Sequence, residues 1–131
     1  MSKIICFWSG IVLLVLGLLG FVPTVVPNGY LFGAFYVDPA HNTVYMLSGL
    51  LLLLAAGALS EPGVKTCLYV FAVIYLAAAV LGFAYGGRQI FQTITCNLAD
   101  NWLHLVIGLV LLVGGLSGRH EHIMTNPPAT R

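Results

Sequence analysis

The sequence predicts an all-α integral membrane protein with four transmembrane helices, arranged as two tandem helix–loop–helix hairpins that form a parallel internal repeat. Of its 131 residues, 60% are hydrophobic and 7% are charged, whereas a soluble domain carries about 25% charged residues. Four apolar stretches are long enough to cross a bilayer core of about 30 Å. Two of them open with similar polar motifs, His41-Asn42-Thr43-Val44-Tyr45 and Asp100-Asn101-Trp102-Leu103-His104.

The first helix is predicted over residues 4–22. Lys3 precedes it, which makes the segment similar to a signal peptide. The apolar run is longer than an h-region of about 7–15 residues, and no A-x-A-like cleavage site follows it. We therefore expect a retained transmembrane helix. Pro23 and Pro27 end it, because proline donates no backbone hydrogen bond.

The other three helices are predicted over residues 42–59, 64–85 and 101–116. Ser60-Glu61-Pro62-Gly63 is typical of a turn. Glycines follow the last apolar turns of the third and fourth helices, as suits helix C-termini. Residues 1–118 are then expected to form a single four-helix transmembrane domain, followed by a cytoplasmic tail at residues 119–131.

Lysine and arginine predict the orientation, because they are enriched in cytoplasmic segments. With the N-terminus inside, Lys3, Lys65, Arg119 and Arg131 lie on the cytoplasmic side and Arg88 on the other. We therefore expect both termini in the cytoplasm. The two long loops then lie together on the outer face.

The asparagines of the two motifs, Asn42 and Asn101, occupy equivalent positions. An asparagine at a helix N-cap accepts a hydrogen bond from an otherwise unpaired backbone N–H. Asp38 and Asp100 place negative charge near the same positive helix ends. The first interpretation of these residues is therefore helix capping.

His104 lies one turn inside the fourth predicted helix, where a polar ring needs a partner. Its equivalent in the first motif is Tyr45, and one interpretation is a structural bond to that residue, to a cap residue or to the outer loop. In the other, His104 joins His41 in a site between the two halves. Two imidazoles with a carboxylate, from Asp38 or Asp100, suit a transition metal, and two imidazoles alone suit haem.

Small residues are spaced so that helices can approach closely. Glycine and alanine let backbones meet where apolar burial gives no net drive between helices in lipid. The predicted helix-packing positions are Gly10, Gly17, Gly49, Gly57, Ala78, Gly82, Gly108, Gly114 and Gly118. These positions either close the bundle internally or receive a partner helix.

Composition and motifs exclude several classes of function. The net charge of +1 provides no electrostatic footprint for nucleic acid. No predicted span carries an acidic or basic residue at mid-depth, as proton relays and ion pathways require. The chain has no P-loop, HExxH, GxSxG or glycine-rich dinucleotide turn, so no enzyme is expected. Cys6, Cys67 and Cys96 lack metal-ligand spacing and are expected to pack as small apolar side chains, with pairing of Cys96 to another chain as the alternative.

The second motif has the pattern Asn-x-x-His-Leu-x-x-x-Gly, from Asn101 to Gly108. This pattern, with the entry Asp38-Pro39-Ala40-His41-Asn42, resembles a family of small four-helix bacterial membrane proteins known only as a domain of unknown function. The resemblance covers residues 4–118. Tyr45 stands where the first motif of that family carries a second histidine. The resemblance implies a four-helix fold and a bacterial inner membrane, and it implies no activity.

Two hypotheses of function follow. The first is a non-enzymatic structural or accessory subunit without a cofactor, which packs against a larger membrane assembly or a second copy of itself. The alternative is a binding protein that uses His104 and His41 on its outer face to hold a metal, haem or a quinone head group. The lipid bilayer is the environment in both.

Overall fold

The computed structural model describes residues 1–86, 89–90 and 94–117. The described chain is mostly helical, and its four helices are long and apolar enough to cross a membrane, which confirms the coarse prediction. Gly118 and the predicted tail at residues 119–131 lie outside the described residues. The helices are α1 (Ser2–Leu19), α2 (Pro39–Ala58), α3 (Glu61–Tyr85) and α4 (Leu98–Leu116).

Helices α2 and α4 begin three residues before the predicted positions because other residues cap them. The Asp38 carboxylate accepts a hydrogen bond from the His41 amide at 2.8 Å. Asn97 caps α4 in a capping box. The Asn97 side chain accepts a hydrogen bond from the Asp100 backbone amide, and the Asp100 carboxylate accepts one from the Asn97 backbone amide. The interpretation of Asn42 and Asn101 as caps is therefore wrong, since both lie one turn inside their helices.

The other boundaries also differ from the prediction. Helix α1 ends at Leu19 rather than at residue 22, and the chain continues into short 3-10 helices at Pro23–Val25 and Pro27–Gly29. Helix α3 starts at Glu61 rather than at residue 64, so the predicted turn is in part its first turn. Pro62 is tolerated there because the first residues of a helix have no backbone acceptor for their N–H groups.

Each long connection contains a two-stranded antiparallel hairpin. Strands β1 (Tyr30–Leu31) and β2 (Phe35–Tyr36) form the first hairpin, and β3 (Gln89–Ile90) and β4 (Ile94–Thr95) form the second. Leu31 is buried against the bundle. The two connections lie at the same end of the molecule. They contact each other there, as the Asn97 side-chain amide donates a hydrogen bond to the Ala34 carbonyl at 2.6 Å.

The helices pack mainly as two antiparallel pairs, α1 with α2 and α3 with α4. Gly49 on α2 lies against the backbone of Leu14, and Gly108 on α4 lies against Leu76. A side chain at either glycine would overlap the neighbouring helix. The same close approach therefore occurs in both pairs.

The predicted helix-packing residues divide into groups. Those that meet atoms of a neighbouring helix are Gly10, Gly17, Gly49, Gly82, Gly108 and Gly114. Ala78 is partly buried. Gly57 has open space where a side chain would be, so it does not close the bundle internally.

The two pairs associate through an apolar core and through the ends of the chain. Leu13, Leu52, Leu68 and Leu111 contribute one fully buried side chain from each helix. At the end of the bundle opposite the connections, the Ser2 hydroxyl donates to the carbonyl of Ser117 at 2.8 Å. This bond joins the start of α1 to the end of α4.

Candidate functional site

Four aromatic rings meet in the half of the bundle nearest the connections. His41 and Tyr45 lie one turn apart on α2, Tyr75 lies on α3, and His104 lies on α4. All four side chains are at most 5% exposed. We call them the ring cluster. The sequence offered Tyr45 and His41 as alternative partners of His104, and the structure brings all three rings together.

The rings of the cluster contact one another closely. The His41 and His104 rings stack at a centroid distance of 5.4 Å, with 25° between their planes. The His41 ring meets the Tyr45 ring edge to face at 4.7 Å. Tyr75 lies 5.8 Å from His104 and 6.2 Å from Tyr45. The cluster therefore joins α2, α3 and α4 in one layer.

One hydrogen bond crosses the cluster. The Tyr45 hydroxyl and Nε2 of His104 are 3.0 Å apart. If Tyr45 donates this bond, Nδ1 of His104 carries the ring proton, because a neutral imidazole has one donor and one acceptor. The structure therefore places His104 beside Tyr45, as the structural interpretation of His104 expects.

Several buried polar atoms of the layer have no hydrogen-bond partner in the described part of the chain. They include both ring nitrogens of His41, Nδ1 of His104 and Oδ1 of Asp100. A polar group buried in an apolar medium without a partner costs several kcal/mol. The layer is therefore suited to receive polar atoms from water or from a ligand.

Asn42 and Asn101 make equivalent contacts in the two helix pairs. The carboxamide of Asn42 lies against Gly20, and that of Asn101 lies against Gly82. In both residues Oδ1 has no conventional hydrogen-bond partner among the described residues. Close Cα–H···O contacts of this kind recur between packed helices. We call the two pairs the Asn–Gly contacts.

Asp100 joins α4 to the first connection. Its side chain is 1% exposed, and Oδ2 accepts hydrogen bonds from the amides of Asn97 at 2.9 Å and Tyr36 at 3.2 Å. The bond to Tyr36 links the two halves of the chain. Asp38, in contrast, uses its carboxylate within the first turn of α2. The two predicted carboxylates therefore have different roles.

A partly open cavity of about 440 Å³ adjoins the ring cluster. The four rings and Cys96 form its inner wall, and Val44 and Ile74 lie at its margin on α2 and α3. Val44 is 41% and Ile74 is 47% exposed on the outside of the bundle. The atoms that face the cavity are almost all carbon. The opening is therefore on a face that lipid would cover.

Cys96 lies in the inner wall and just before α4. Its side chain is 2% exposed. Burial, together with the nearby carboxylates of Asp100 and Asp38, raises the pKa of the Cys96 thiol to about 11. The thiol is therefore protonated near neutral pH and behaves as a small apolar group.

The arrangement gives little support to a metal or to haem. No group of three or more His, Cys, Asp or Glu side chains among the described residues is placed to hold a metal ion. His41 and His104 present ring faces to each other. Two axial haem ligands instead direct ring nitrogens at one iron from opposite sides. The metal and haem hypotheses remain predictions.

Sequence reasoning missed Tyr75 and the cavity. Tyr75 lies within a continuous apolar run, where the sequence does not distinguish its hydroxyl from that of Tyr69 as a sign of a polar layer. Nothing in the sequence placed α3 beside the two motifs, because the contacts of Tyr75 with Tyr45 and His104 join separate helices.

The fold and the ring cluster define a small helical protein with four membrane-length helices and a buried polar layer near one end. The chain belongs to the family described as Domain of unknown function (DUF4383), whose model matches residues 3–117. The resemblance to an uncharacterised family is thereby confirmed. No curated protein and no solved structure matches the chain significantly.

Proposed function

We propose that this protein binds a lipid-soluble, flat molecule in the cavity between α2 and α3, with a quinone head group as the ligand class that suits it best. The observation that carries the proposal is the cavity itself. Its inner wall is made of four buried rings, and its margin lies on helix faces that are exposed on the outside of the bundle. A volume of about 440 Å³ falls in the usual range of small-molecule sites, about 300–1,000 Å³.

The position of the opening favours a ligand that arrives through the bilayer. Val44 and Ile74 belong to the apolar surface of α2 and α3. The carbon-rich wall favours ring stacking and apolar contact over charge. A charged or strongly hydrated ligand would lose its water without compensation. The ligand class is therefore apolar and aromatic or quinonoid.

The unpaired nitrogens of His41 supply the polar part of the argument. One of them carries a proton in the neutral ring, and neither has a partner among the described residues. If the His41 side chain rotates toward the cavity, its ring N–H can donate a hydrogen bond to a carbonyl oxygen of the ligand. We propose binding without catalysis, since the chain carries no catalytic motif.

The accessory-subunit hypothesis is the second candidate function. Most of the glycines on which it depended meet neighbouring helices inside the bundle, which leaves them no part in an external contact. Among the glycines of this set that the structure describes, Gly57 is the exception. A membrane-protein partner or a homo-oligomer remains compatible with ligand binding.

We also propose the setting in which the site works. The membrane is a bacterial inner membrane in this proposal, as the resemblance implies. The lysine and arginine distribution supports an orientation with both termini in the cytoplasm and the connections outside. The similar contacts in the two helix pairs support a parallel internal repeat, in which each half contributes one pair. The ring cluster then lies toward the outer side of the bilayer.

The test is to measure the binding of decyl-benzoquinone to the purified protein in detergent by isothermal titration calorimetry. Ala77 lines the cavity and is exposed, so Ala77→Phe is expected to obstruct the opening and weaken binding at least about tenfold. Ala84 is also exposed and lies two turns along the same face of α3, outside the cavity lining. Ala84→Phe is the matched control and should bind normally. Equal affinity in both variants, or no binding by the parent protein, would contradict the quinone proposal.

A further inference from the structure

A shallow groove of about 560 Å³ runs along the outside of α1 and α2, at the end of the bundle opposite the connections. Phe7 and Trp8 on α1 form one side, and Leu53 and Gly57 on α2 contribute to the other. Lys3 lies at its outer end, about 12 Å along the helix from the last α1 residue of the lining. It is separate from the cavity of the ring cluster.

The groove is apolar along its length and positively charged at its end. Phe7 is 45% and Trp8 is 60% exposed, and their rings meet edge to face at 5.7 Å. Lys3 is exposed and has no ion-pair partner in the described part of the chain. This combination matches the two parts of a phospholipid, since an acyl chain needs an apolar channel and a phosphate needs a cation at the membrane surface.

Gly57 provides the room for such a chain. A side chain at this position would meet no atom within 4 Å, unlike the glycines that close the bundle. Gly57 is the second-to-last residue of α2, and its lack of a side chain leaves space for a bound molecule beside the helix.

The charge balance at this end favours an anionic lipid. The end of the bundle that carries Lys3 also carries Lys65 and Glu61, which start α3. Glu61 does not line the groove, so among the described residues no carboxylate in the lining opposes a phosphate at Lys3. We propose that the groove is a binding site for an anionic phospholipid, with one acyl chain between Trp8 and Gly57 and the phosphate on the Lys3 ammonium.

Tryptophan fluorescence tests the site directly, because the chain has two tryptophans. Trp102→Phe leaves Trp8 as the reporter. This variant is reconstituted in phosphatidylcholine bilayers that contain either brominated phosphatidylglycerol or brominated phosphatidylcholine, whose bromines quench on contact. Phosphatidylglycerol is expected to occupy the groove about fivefold more strongly, which corresponds to about 1 kcal/mol for one lysine near the surface.

Four further variants make the test specific. Lys3→Gln should remove the preference and Lys3→Arg should keep it. Lys65→Gln is the matched control, because Lys65 lies at the same end but outside the groove, and it should also keep the preference. Gly57→Leu should fill the groove and reduce quenching by both lipids. Circular dichroism verifies that each variant is folded.

Three results would overturn the proposal. The first is equal quenching of the parent by the two lipids, and the second is a preference that survives Lys3→Gln. The third is a Trp8 that neither lipid quenches, which would show that a second copy or another protein covers the groove. None of these results bears on the quinone site, since the groove and the ring-cluster cavity share no lining residue.

Discussion

The hydroxyl of Tyr45 lies 3.0 Å from Nε2 of His104, and the two residues hold equivalent positions in the two polar motifs, 59 residues apart. The bond joins the second helix of one half to the second helix of the other. A polar ring alone on either helix would lack a hydrogen-bond partner in lipid. Each residue therefore supplies the partner that the other needs. The two halves are therefore matched by complementary chemistry at one position.

A double-mutant cycle on this pair should show favourable coupling. Tyr45→Phe removes the hydroxyl and leaves the rings in place, and His104→Phe removes the acceptor. Hydrogen bonds between membrane helices contribute about 0.6 kcal/mol on average and up to about 1.7 kcal/mol. We expect a coupling free energy in this range from unfolding of the four proteins in mixed micelles. Strictly additive single effects would show that the bond contributes nothing to stability.

The Asn–Gly contacts should be sensitive to one added methyl group. Gly20→Ala and Gly82→Ala each place a Cβ on the carboxamide of an asparagine, and overpacking of this kind typically costs about 1–3 kcal/mol. Gly57→Ala is the control, because it meets open space and should be neutral or slightly stabilising. Thermal unfolding in detergent, followed by circular dichroism, measures the three effects. A loss at Gly57→Ala as large as at Gly82→Ala would contradict the packing argument.

Replacement of Asp100 should affect backbone hydrogen exchange in the first connection, whereas replacement of Asp38 should affect it much less. Asp100→Ala removes the acceptor of the Tyr36 amide, so hydrogen exchange in the first connection should accelerate. A bond to a charged group is worth about 1.5–3 kcal/mol, which allows an increase of about tenfold or more. Asp38→Ala removes only a local cap on α2. Exchange measured by mass spectrometry over residues 30–37 should respond much less to that change, and equal responses would rule out the cross-link.

Cys96 should react slowly with thiol reagents. At pH 8 a thiol with a pKa of about 11 has on the order of a hundredfold less thiolate than an ordinary cysteine thiol. The rate of alkylation should therefore rise about tenfold per pH unit from pH 7 to pH 10, instead of levelling near pH 9. The measurement uses a Cys6→Ala, Cys67→Ala background, with the unfolded protein as the reference. A plateau near pH 9 in the folded protein would show that the thiol is not buried.

The presence of four membrane-length helices in the described part of the chain was predictable from the sequence, because each helix contains a long apolar run. Their starts were not, because the motif asparagines have the chemistry of a cap. The true caps are Asp38 and Asn97, which lie four residues earlier. An aspartate followed directly by a proline was the available signal at α2, since proline is favoured at the first helical position.

The candidate site was predictable only where it lies in the motifs. His41, Tyr45 and His104 carry the polar groups that made those motifs visible. Tyr75 and the cavity depend on how α3 packs beside α2 and α4, which local patterns do not specify. The use of Asn42 and Asn101 against glycines was also hidden, because a carboxamide that contacts a Cα of another helix leaves no trace in its own sequence neighbourhood.

The hydrogen bond between Ser2 and Ser117 has a consequence for the order of the chain. Because the start of α1 and the end of α4 meet, a short peptide linking those two residues would span only a few ångströms. The connection between α2 and α3, at residues 59–60, lies exposed at the same end. A circular permutant opened there would carry the second helix pair first. Since each pair makes its own close contacts, this rearranged chain should fold to the same bundle. The order of the two helix pairs along the polypeptide is therefore not fixed by the fold.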